Sequence, residues 1–258
     1  MNKGKKPHHD ARDTFTKRVR EPDQAGAEAA GLRWLGENTH AVVEVVRVDG
    51  LELVTERIHE VMPTEWAAQE AGRQILVMHE SGAEAFGCPP AGWAGKNYIG
   101  RVEQRCEPTD NWARFYVEQR VLPFARNANL HPQQLDLVER ACAAIVANDG
   151  GKYGRVAPAR IHGDLWAGNL LFSSDGPVMI DPAAHGGHPF TDLAMLALFG
   201  APYLSHIVAG YGAPDDFFDW VPMHQLHPLA VHAMTHGPGY HADLARAAET
   251  TLKVLGES

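Results

Sequence analysis

Two carboxylates and one amide occupy a short stretch in the second half of the chain. Asp164 and Asn169 are five residues apart, and Asp181 follows twelve residues later, at the end of an apolar run at 178–180. Phosphoryl transfer from ATP requires a carboxylate that accepts a hydroxyl proton, and oxygen ligands that hold Mg²⁺ against the phosphates. Carboxylate and amide oxygens are hard ligands that suit Mg²⁺. These residues therefore predict a phosphoryl-transfer site; the alternative is a buried turn that Asp164 and Asn169 only stabilise.

The elements around these residues have to bring them together. Short strands are predicted near residues 160–161 and 177–180, and Ser174-Asp175-Gly176 has the composition of a turn. A loop, this turn and a return strand fit between Asp164 and Asp181. We therefore expect the two carboxylates and the amide to converge on one site.

The first sixty residues alternate between strand-like and helix-like patterns. They predict a strand at 14–19, a helix at 22–35, and strands at 41–48 and 51–58. The last two strands are separated by Asp49-Gly50, which is a strong signal for a two-residue hairpin. We expect residues 1–60 to form a small lobe of mixed structure.

The remaining chain is dominated by helical patterns. It predicts a helix at 64–79 with Thr64 as its N-cap, a loop at 80–100, and helices at 111–125 and 135–145. From residue 191 onward the pattern is mostly helical. We expect residues 61–258 to form a larger, mainly helical lobe, which makes the fold α+β.

Composition excludes several classes of protein. The formal charge of −9 gives no attraction to a phosphate backbone, so we expect no nucleic-acid partner. No apolar run approaches the length of a membrane span, which predicts no membrane association. Three widely spaced cysteines fit reduced thiols rather than disulfides, and we expect a cytoplasmic location. The oligomeric state is not indicated.

The segment HGDLWAGN…IDPAAHGGHPFTDLAML, at residues 162–196, resembles the catalytic stretch of fructosamine (ketosamine) kinases, which are relatives of aminoglycoside and choline phosphotransferases. Further similarities lie at 97–104, at 115–120 and at 225–240, and the resemblance covers most of residues 14–245. It implies a two-lobed, protein-kinase-like (aminoglycoside phosphotransferase) fold with a shortened N-terminal β lobe.

The resemblance also implies roles for individual residues. Asp164 would be the catalytic base, and Asn169 and Asp181 would be the Mg²⁺ ligands. Lys17 aligns with the strand lysine that holds the phosphates of ATP. Glu28, eleven residues further on, would pair with that lysine.

Other implied contacts concern adenine and the substrate. The segment 53–58 resembles the strand that enters the interlobe hinge, so the backbone at Glu56 and Ile58 would bind adenine. Trp166 is a candidate platform for the substrate, or it packs the catalytic loop. His188 and His224 are further substrate candidates, although for His188, as for Asp192, bracing of the catalytic loop is favoured over contact with the substrate.

The implied reaction is ATP-dependent phosphorylation of the sugar 3-hydroxyl of a glycated amine. The acceptor would be a small hydroxylated amine or a glycated lysine, and release of the free amine makes the activity a repair step. Two alternatives stay open: an aminoglycoside- or choline-type phosphotransferase, and a kinase-shaped binding protein with weak or no activity.

Two regions depart from the family pattern. Only sixteen residues precede Lys17, with Gly4 as their only glycine, so a glycine-rich phosphate loop is missing or replaced by a segment such as His8-His9-Asp10. We expect weaker binding of ATP as a consequence. Histidines and a proline at 224–236 replace the usual aromatic residues and asparagine, which leaves the native substrate open. For His232 and His236, a pocket or surface position is favoured over zinc ligation.

Overall fold

The computed structural model describes residues 13–257. The segment His8-His9-Asp10 therefore lies outside the described residues, as do residues 1–12 of the predicted first lobe. The strands are β1 Thr14–Arg18, β2 Val45–Asp49, β3 Glu52–Glu56, β4 Asn97–Ile99, β5 Val102–Gln104, β6 Ala159–Ile161, β7 Leu170–Ser173, β8 Gly176–Met179 and β9 His185–Gly187. The α-helices are α1 Pro22–Leu35, α2 Glu65–Glu80, α3 Trp112–Phe115, α4 Leu122–Ala125, α5 Pro132–Ala147, α6 Phe190–Leu198, α7 Leu204–Tyr211, α8 Phe217–His236 and α9 His241–Val254.

An antiparallel sheet in the order β1-β3-β2 forms the N-terminal part, with α1 packed on it. The predicted helix start is confirmed, because Pro22 occupies the first turn and Glu21 and Gln24 form a capping box. The predicted two-residue hairpin between β2 and β3 is confirmed, but its turn is Gly50-Leu51 rather than Asp49-Gly50, because Asp49 pairs with Glu52 as the last residue of β2.

The strand predicted at 41–48 begins only at Val45. The backbone before it is used elsewhere: Met179 N–H donates to Ala41 O at 2.7 Å, and Val43 N–H donates to Met179 O at 3.1 Å. This segment therefore ties the N-terminal sheet to β8, which lies next to the predicted metal ligand Asp181. The sequence pattern could not distinguish this pairing from a longer hairpin strand.

The segment predicted as a loop at 80–100 contains β4, which pairs with β5 across a two-residue turn. The helix predicted at 111–125 is present but irregular, because a π-helix at Tyr116–Val121 joins α3 to α4. Pro123 has no N–H to donate, and this interrupts the regular hydrogen-bond ladder. Asn111 caps the start, since its side chain accepts from Arg114 N–H at 2.8 Å.

Helices pack around two hydrophobic clusters in the larger part of the molecule. One cluster joins α5, α8 and α9 to the segment around Trp112 and Tyr116. The other joins α2, α6 and α7 to the strands β7 and β8. The predicted α+β class is confirmed.

A third cluster lies under the N-terminal sheet and includes Ala25, Leu32 and Leu53. Val178 and Ile180 pack against it, although they lie far along the chain. The predicted division of the chain at residue 60 stays a prediction. Of the helices in residues 13–257, none has both the length and the apolar character that a membrane span requires.

Candidate active site

The turn that carries Asp164 is held by a buried carboxylate on α6. His162 N–H donates to Asp192 Oδ2 at 2.7 Å, and Gly163 N–H donates to Asp192 Oδ1 at 2.9 Å. His79 Nε2 lies 3.0 Å from the same Oδ2. Burial alone would raise the pKa of Asp192, but its hydrogen bonds with His79 and Gly163 hold that pKa below the usual value. Asp192 therefore acts as an internal cap for the catalytic turn.

His162 fixes the same turn from the other side. Its Nε2 donates to Ile180 O at 2.8 Å, while its Nδ1 accepts from Asp164 N–H at 3.3 Å. Burial lowers the pKa of His162, so the imidazole is neutral at neutral pH. His162, which follows β6, is thereby linked to Ile180, which precedes Asp181.

Asp164 is poised for proton transfer near neutrality. Burial raises its pKa to about 7, and the carboxylates of Asp181 and Asp192 add to the increase. A base whose pKa lies near the working pH transfers protons efficiently.

Asn169 and Asp181 meet beside Asp164, as the sequence spacing predicts. Asn169 Nδ2 donates to Asp164 O at 2.8 Å and lies 3.4 Å from Asp164 Oδ2 and 3.5 Å from Asp181 O. Asp181 has a φ of 54°, a left-handed backbone that non-glycine residues seldom adopt. Strain of this kind is concentrated at functional sites.

The donor set at this point fits Mg²⁺. Because the amide nitrogen of Asn169 is used within the loop, its oxygen is the atom left for a ligand. The side chain of Asp181 is 43% exposed, and both residues line the same cavity as Asp164. Two protein oxygens with room for water and phosphate match the way Mg²⁺ is usually held in phosphoryl-transfer sites.

Lys17 on β1 makes the predicted ion pair with Glu28 on α1, at 2.8 Å. Its Nζ also lies 3.1 Å from Asp181 Oδ2. Burial alone would lower the pKa of Lys17, but the two carboxylates outweigh it and raise the pKa. Burial raises the pKa of Glu28 to about 7, against the opposing effect of Lys17. The lysine is therefore held charged at the edge of the candidate metal site.

Glu56 and Ile58 line a first cavity, of about 340 Å³, which is called the hinge cavity here. Leu32, Val43 and Ile180 provide apolar parts of its wall. Asp181 also lines this cavity. A cavity with apolar walls beside a strand end is suited to a purine ring.

Asp181 also lines a second cavity, of about 380 Å³, called the central cavity. Lys17, Glu28, Asp164 and Asn169 all line it. The five polar residues that sequence analysis assigned to base, metal and phosphate roles are thus brought together around one space.

A third cavity, of about 860 Å³, lies beyond Asp164 and is called the distal cavity. Asp164 and Trp166 line both the central and the distal cavity. The side chain of Trp166 is exposed, which leaves its ring available as a platform. Because Asp181 lines both the hinge and the central cavity, and Asp164 and Trp166 line both the central and the distal cavity, the three are adjacent in the order hinge, central, distal, and are together called the cleft.

Comparisons with known proteins agree with this geometry. The family model described as fructosamine kinase matches residues 9–254. A probable ketoamine kinase of Thermus thermophilus is 30% identical over 229 residues, which are 86% of this chain and 80% of that protein. A crystal structure of a putative fructosamine-3-kinase from Thermobifida fusca YX-ER1 superposes with a TM-score of 0.85 and 41% identity, over 93% of this chain and 85% of the other.

The chain belongs to the fructosamine kinase family. It is accordingly a phosphotransferase with the two-lobed kinase-like fold, and ATP is the donor that such a kinase implies. A choline/ethanolamine kinase family protein from Mesorhizobium loti has a TM-score of 0.61 at 15% identity, over 94% of this chain and 86% of that chain. A likeness at that identity supports the fold alone.

Two substrate candidates are not placed in the cleft of this member of the family. His188 and His224 are 1% and 0% exposed, and their rings lie 4.4 Å apart in the helical core. His188 donates through Nε2 to Tyr153 O at 2.8 Å, and its Nδ1 accepts from Phe190 N–H at 3.0 Å. Neither side chain lines any of the three cavities, so the structure gives no support to a contact between either histidine and the substrate; both lie in the core behind the site.

Phe199 and Tyr240 line the cleft, although sequence reasoning assigned them no role. The distal cavity is lined by Phe199, His232, His236 and Tyr240, and the His232 and His236 rings stack at 5.1 Å. The i, i+4 spacing of the two histidines on α8 was the available signal, and of the pocket or surface positions favoured for them the structure shows the pocket position. In residues 13–257, no group of three or more His, Cys, Asp or Glu side chains is arranged to hold a metal ion.

Arginine residues were also missed. Arg18, Arg20 and Arg101 line the central cavity together with Lys17. Isolated surface arginines carry no sequence signal of their own, and only folding brings these three to one place.

Proposed function

We propose that this protein is an ATP- and Mg²⁺-dependent kinase that phosphorylates a sugar hydroxyl of a glycated amine. One observation carries the proposal: Asp164, Asn169 and Asp181 line the central cavity, which shares lining residues with the hinge cavity on one side and with the larger distal cavity on the other. Family membership supports the substrate class.

The nucleotide would lie along the hinge and central cavities. The backbone at Glu56 and Ile58 would orient adenine, and Lys17 would donate to the phosphate oxygens. Asn169 and Asp181 would hold Mg²⁺, which when bound neutralises charge on the phosphates. Glu28 keeps Lys17 extended toward the phosphates, since the two side chains are in contact at 2.8 Å.

Asp164 would take the proton from the acceptor hydroxyl as that oxygen attacks the terminal phosphorus. Asp192 and His162 hold the turn, so the carboxylate keeps its position during the transfer. Trp166 would lie against the sugar and reduce the access of water to the reacting atoms.

The distal cavity favours a ketosamine over an aminoglycoside. Among the residues that line it, Asp164 is the only carboxylate, and Phe199, His232 and Tyr240 give it an aromatic wall. A polycationic aminoglycoside requires several carboxylates for its amines. A sugar attached to one amine requires a ring platform and few charges. A protein that only bound its ligand would not need a half-buried carboxylate with a pKa near 7 at the junction of two cavities.

A panel assay tests the proposal. The protein is incubated with ATP, Mg²⁺ and separate glycated amines, aminoglycosides or choline, and release of ADP is followed. We expect turnover with glycated amines, and a loss of about 100-fold or more in Asp164→Asn. Turnover only with aminoglycosides or choline would refute the substrate class, and unchanged turnover in Asp164→Asn would refute the assigned base.

A further inference from the structure

Arg101 occupies the tip of the hairpin between β4 and β5. Ile99 pairs with Val102 across the two-residue turn, and Gly100 has a φ of 56°, which glycine tolerates without strain. The Arg101 side chain is exposed and makes no ion pair with any described residue. It is therefore a cation available to a ligand.

The hairpin is anchored on both sides of the cleft. Tyr98 Oη donates to Glu21 Oε2 at 2.9 Å, which ties β4 to the start of α1. Gln104 Nε2 donates to Ala183 O at 3.3 Å, which ties β5 to the segment after Asp181. These contacts fix the position of the turn relative to both the phosphate side and the metal side of the site.

Arg101 lies where the two larger cavities meet. Arg101, Asp164 and Trp166 line both the central and the distal cavity. Lys17, Arg18 and Arg20 line the central cavity, and none of these three lines the distal one. A phosphoryl group that passes from nucleotide to acceptor must cross the boundary on which Arg101 lies.

We propose that Arg101 is a catalytic residue that donates hydrogen bonds to the oxygens of the phosphoryl group during transfer. This inference rests on the proposed kinase function. In the step, the acceptor oxygen forms a bond to the terminal phosphorus, and the bridging bond to ADP breaks with its electron pair on ADP. The acceptor proton goes to Asp164, and Arg101 forms no covalent bond.

The other cations are less suited to this task. Lys17 is already in contact with Glu28 and Asp181, at 2.8 Å and 3.1 Å. A guanidinium also presents a planar fork of donors that matches two phosphoryl oxygens, whereas an ammonium is a point charge. Arginines that stabilise phosphoryl transfer contribute about 10³- to 10⁵-fold to kcat in other enzymes.

Steady-state kinetics with an accepted substrate provides the first test. We expect Arg101→Gln to lower kcat by about 10³-fold while the KM for ATP changes by less than about threefold. Arg18→Gln, which removes a cation from the central cavity alone, should instead raise the KM for ATP. Arg140→Gln, an exposed arginine on α5, is the control and should match the native enzyme. Arg101→Lys should restore only part of the rate.

A second test does not depend on the acceptor. Calorimetry measures binding of ADP with Mg²⁺, with and without aluminium fluoride, which mimics the phosphoryl group in transit. We expect aluminium fluoride to tighten the binding of ADP in the native protein and in Arg140→Gln. In Arg101→Gln, this tightening should be absent. Binding of ADP alone should be equal in all three.

The outcomes separate the two proposals. If fluoride tightening is lost in Arg101→Gln but no glycated amine is turned over, the Arg101 assignment stands and the substrate class fails. If Arg101→Gln keeps the native kcat or the native fluoride effect, the Arg101 assignment is refuted. Absence of fluoride tightening in the native protein would refute it as well.

Discussion

Lys17 shows how one side chain can connect three functional groups. It contacts Glu28 at 2.8 Å and Asp181 at 3.1 Å, and it lines the cavity that contains Asp164. Its charge is thus partly compensated within the protein and is directed at the place where ATP phosphates are proposed to bind.

Lys17→Met removes that charge. We expect the affinity for ATP to fall by about 10- to 100-fold, because a hydrogen bond from a charged donor contributes about 1.5–3 kcal/mol. Calorimetric titration of ATP checks this, and adenosine, which lacks phosphates, should bind equally to both proteins. Lys253→Met on α9 is the matched control on an exposed helix face. Native ATP affinity in Lys17→Met would contradict the phosphate role.

Asp192 stabilises the turn that carries Asp164. It is 0% exposed and accepts two backbone N–H groups while lying beside His79. Asp192→Asn places an amide where two donors already point. We expect the free energy of unfolding to fall by about 3 kcal/mol, as is usual when a buried charged partner is removed. Urea denaturation measures it, with the exposed Asp219→Asn expected to lie within about 0.5 kcal/mol of the native protein.

At the scale of elements, the contact between α2 and α7 is set by two glycines. A Cβ at Gly72 would lie 2.0 Å from Ile207 O, and a Cβ at Gly210 would lie 2.0 Å from Gln69 O. The helices can approach this closely only because both side chains are absent. Since α2 also carries His79, which contacts Asp192, this packing supports the catalytic turn.

Gly72→Ala should therefore separate the two helices. We expect a loss of about 1–3 kcal/mol in the free energy of unfolding, because overpacking of a close contact has this effect. Thermal and urea denaturation measure it. Gly239→Ala, where a Cβ meets no atom within 4 Å, is the control and should not destabilise the protein. Equal stability of the two variants would show that the helices adjust freely.

Elements differed in how well the sequence predicted them. The helices α1 and α2 were found because Pro22 and Thr64 give local signals for a helix start. The short strand β4 was missed because it is defined by its pairing with β5. The late start of β2 was missed because the residues before it pair with Met179, and this contact is decided by the tertiary structure.

For the whole molecule, a group of buried neutral histidines makes stability depend on pH. Burial lowers the pKa of His188 to about 4, and burial also holds the pKa values of His185, His224 and His227 well below the usual range. Such a histidine is neutral in the folded protein and takes up a proton on unfolding. The contribution of these histidines to the free energy of unfolding is therefore fully present above pH 6.5 and is lost as the pH falls toward 4.

His188→Gln tests this dependence. For His188 alone, the shift from 6.5 to about 4 corresponds to about 3 kcal/mol. We expect the loss of unfolding free energy between pH 7 and pH 5 to be smaller in His188→Gln than in the native protein. Urea denaturation at the two pH values measures it. The exposed His40→Gln should show the native dependence, and an identical dependence in His188→Gln would contradict the assignment.

The sequence by itself determined the chemistry of this protein. Asp164, Asn169 and Asp181 lie within one local unit of loop, turn and return strand, so their types and spacing were sufficient to predict where they converge. Lys17 and Glu28 followed from family resemblance, because they pair across a strand and the next helix.

Only the tertiary structure decided which other residues face the cleft. His188 and His224 proved to be core residues, whereas Arg101, Phe199 and Tyr240 proved to line the cavities. The reason is physical: the hairpin tip, the end of α6 and the segment after α8 are far apart in sequence, and they meet only when the helices and strands pack. The orientation of a histidine on a helix that is buried on nearly all sides is likewise fixed by packing rather than by sequence period.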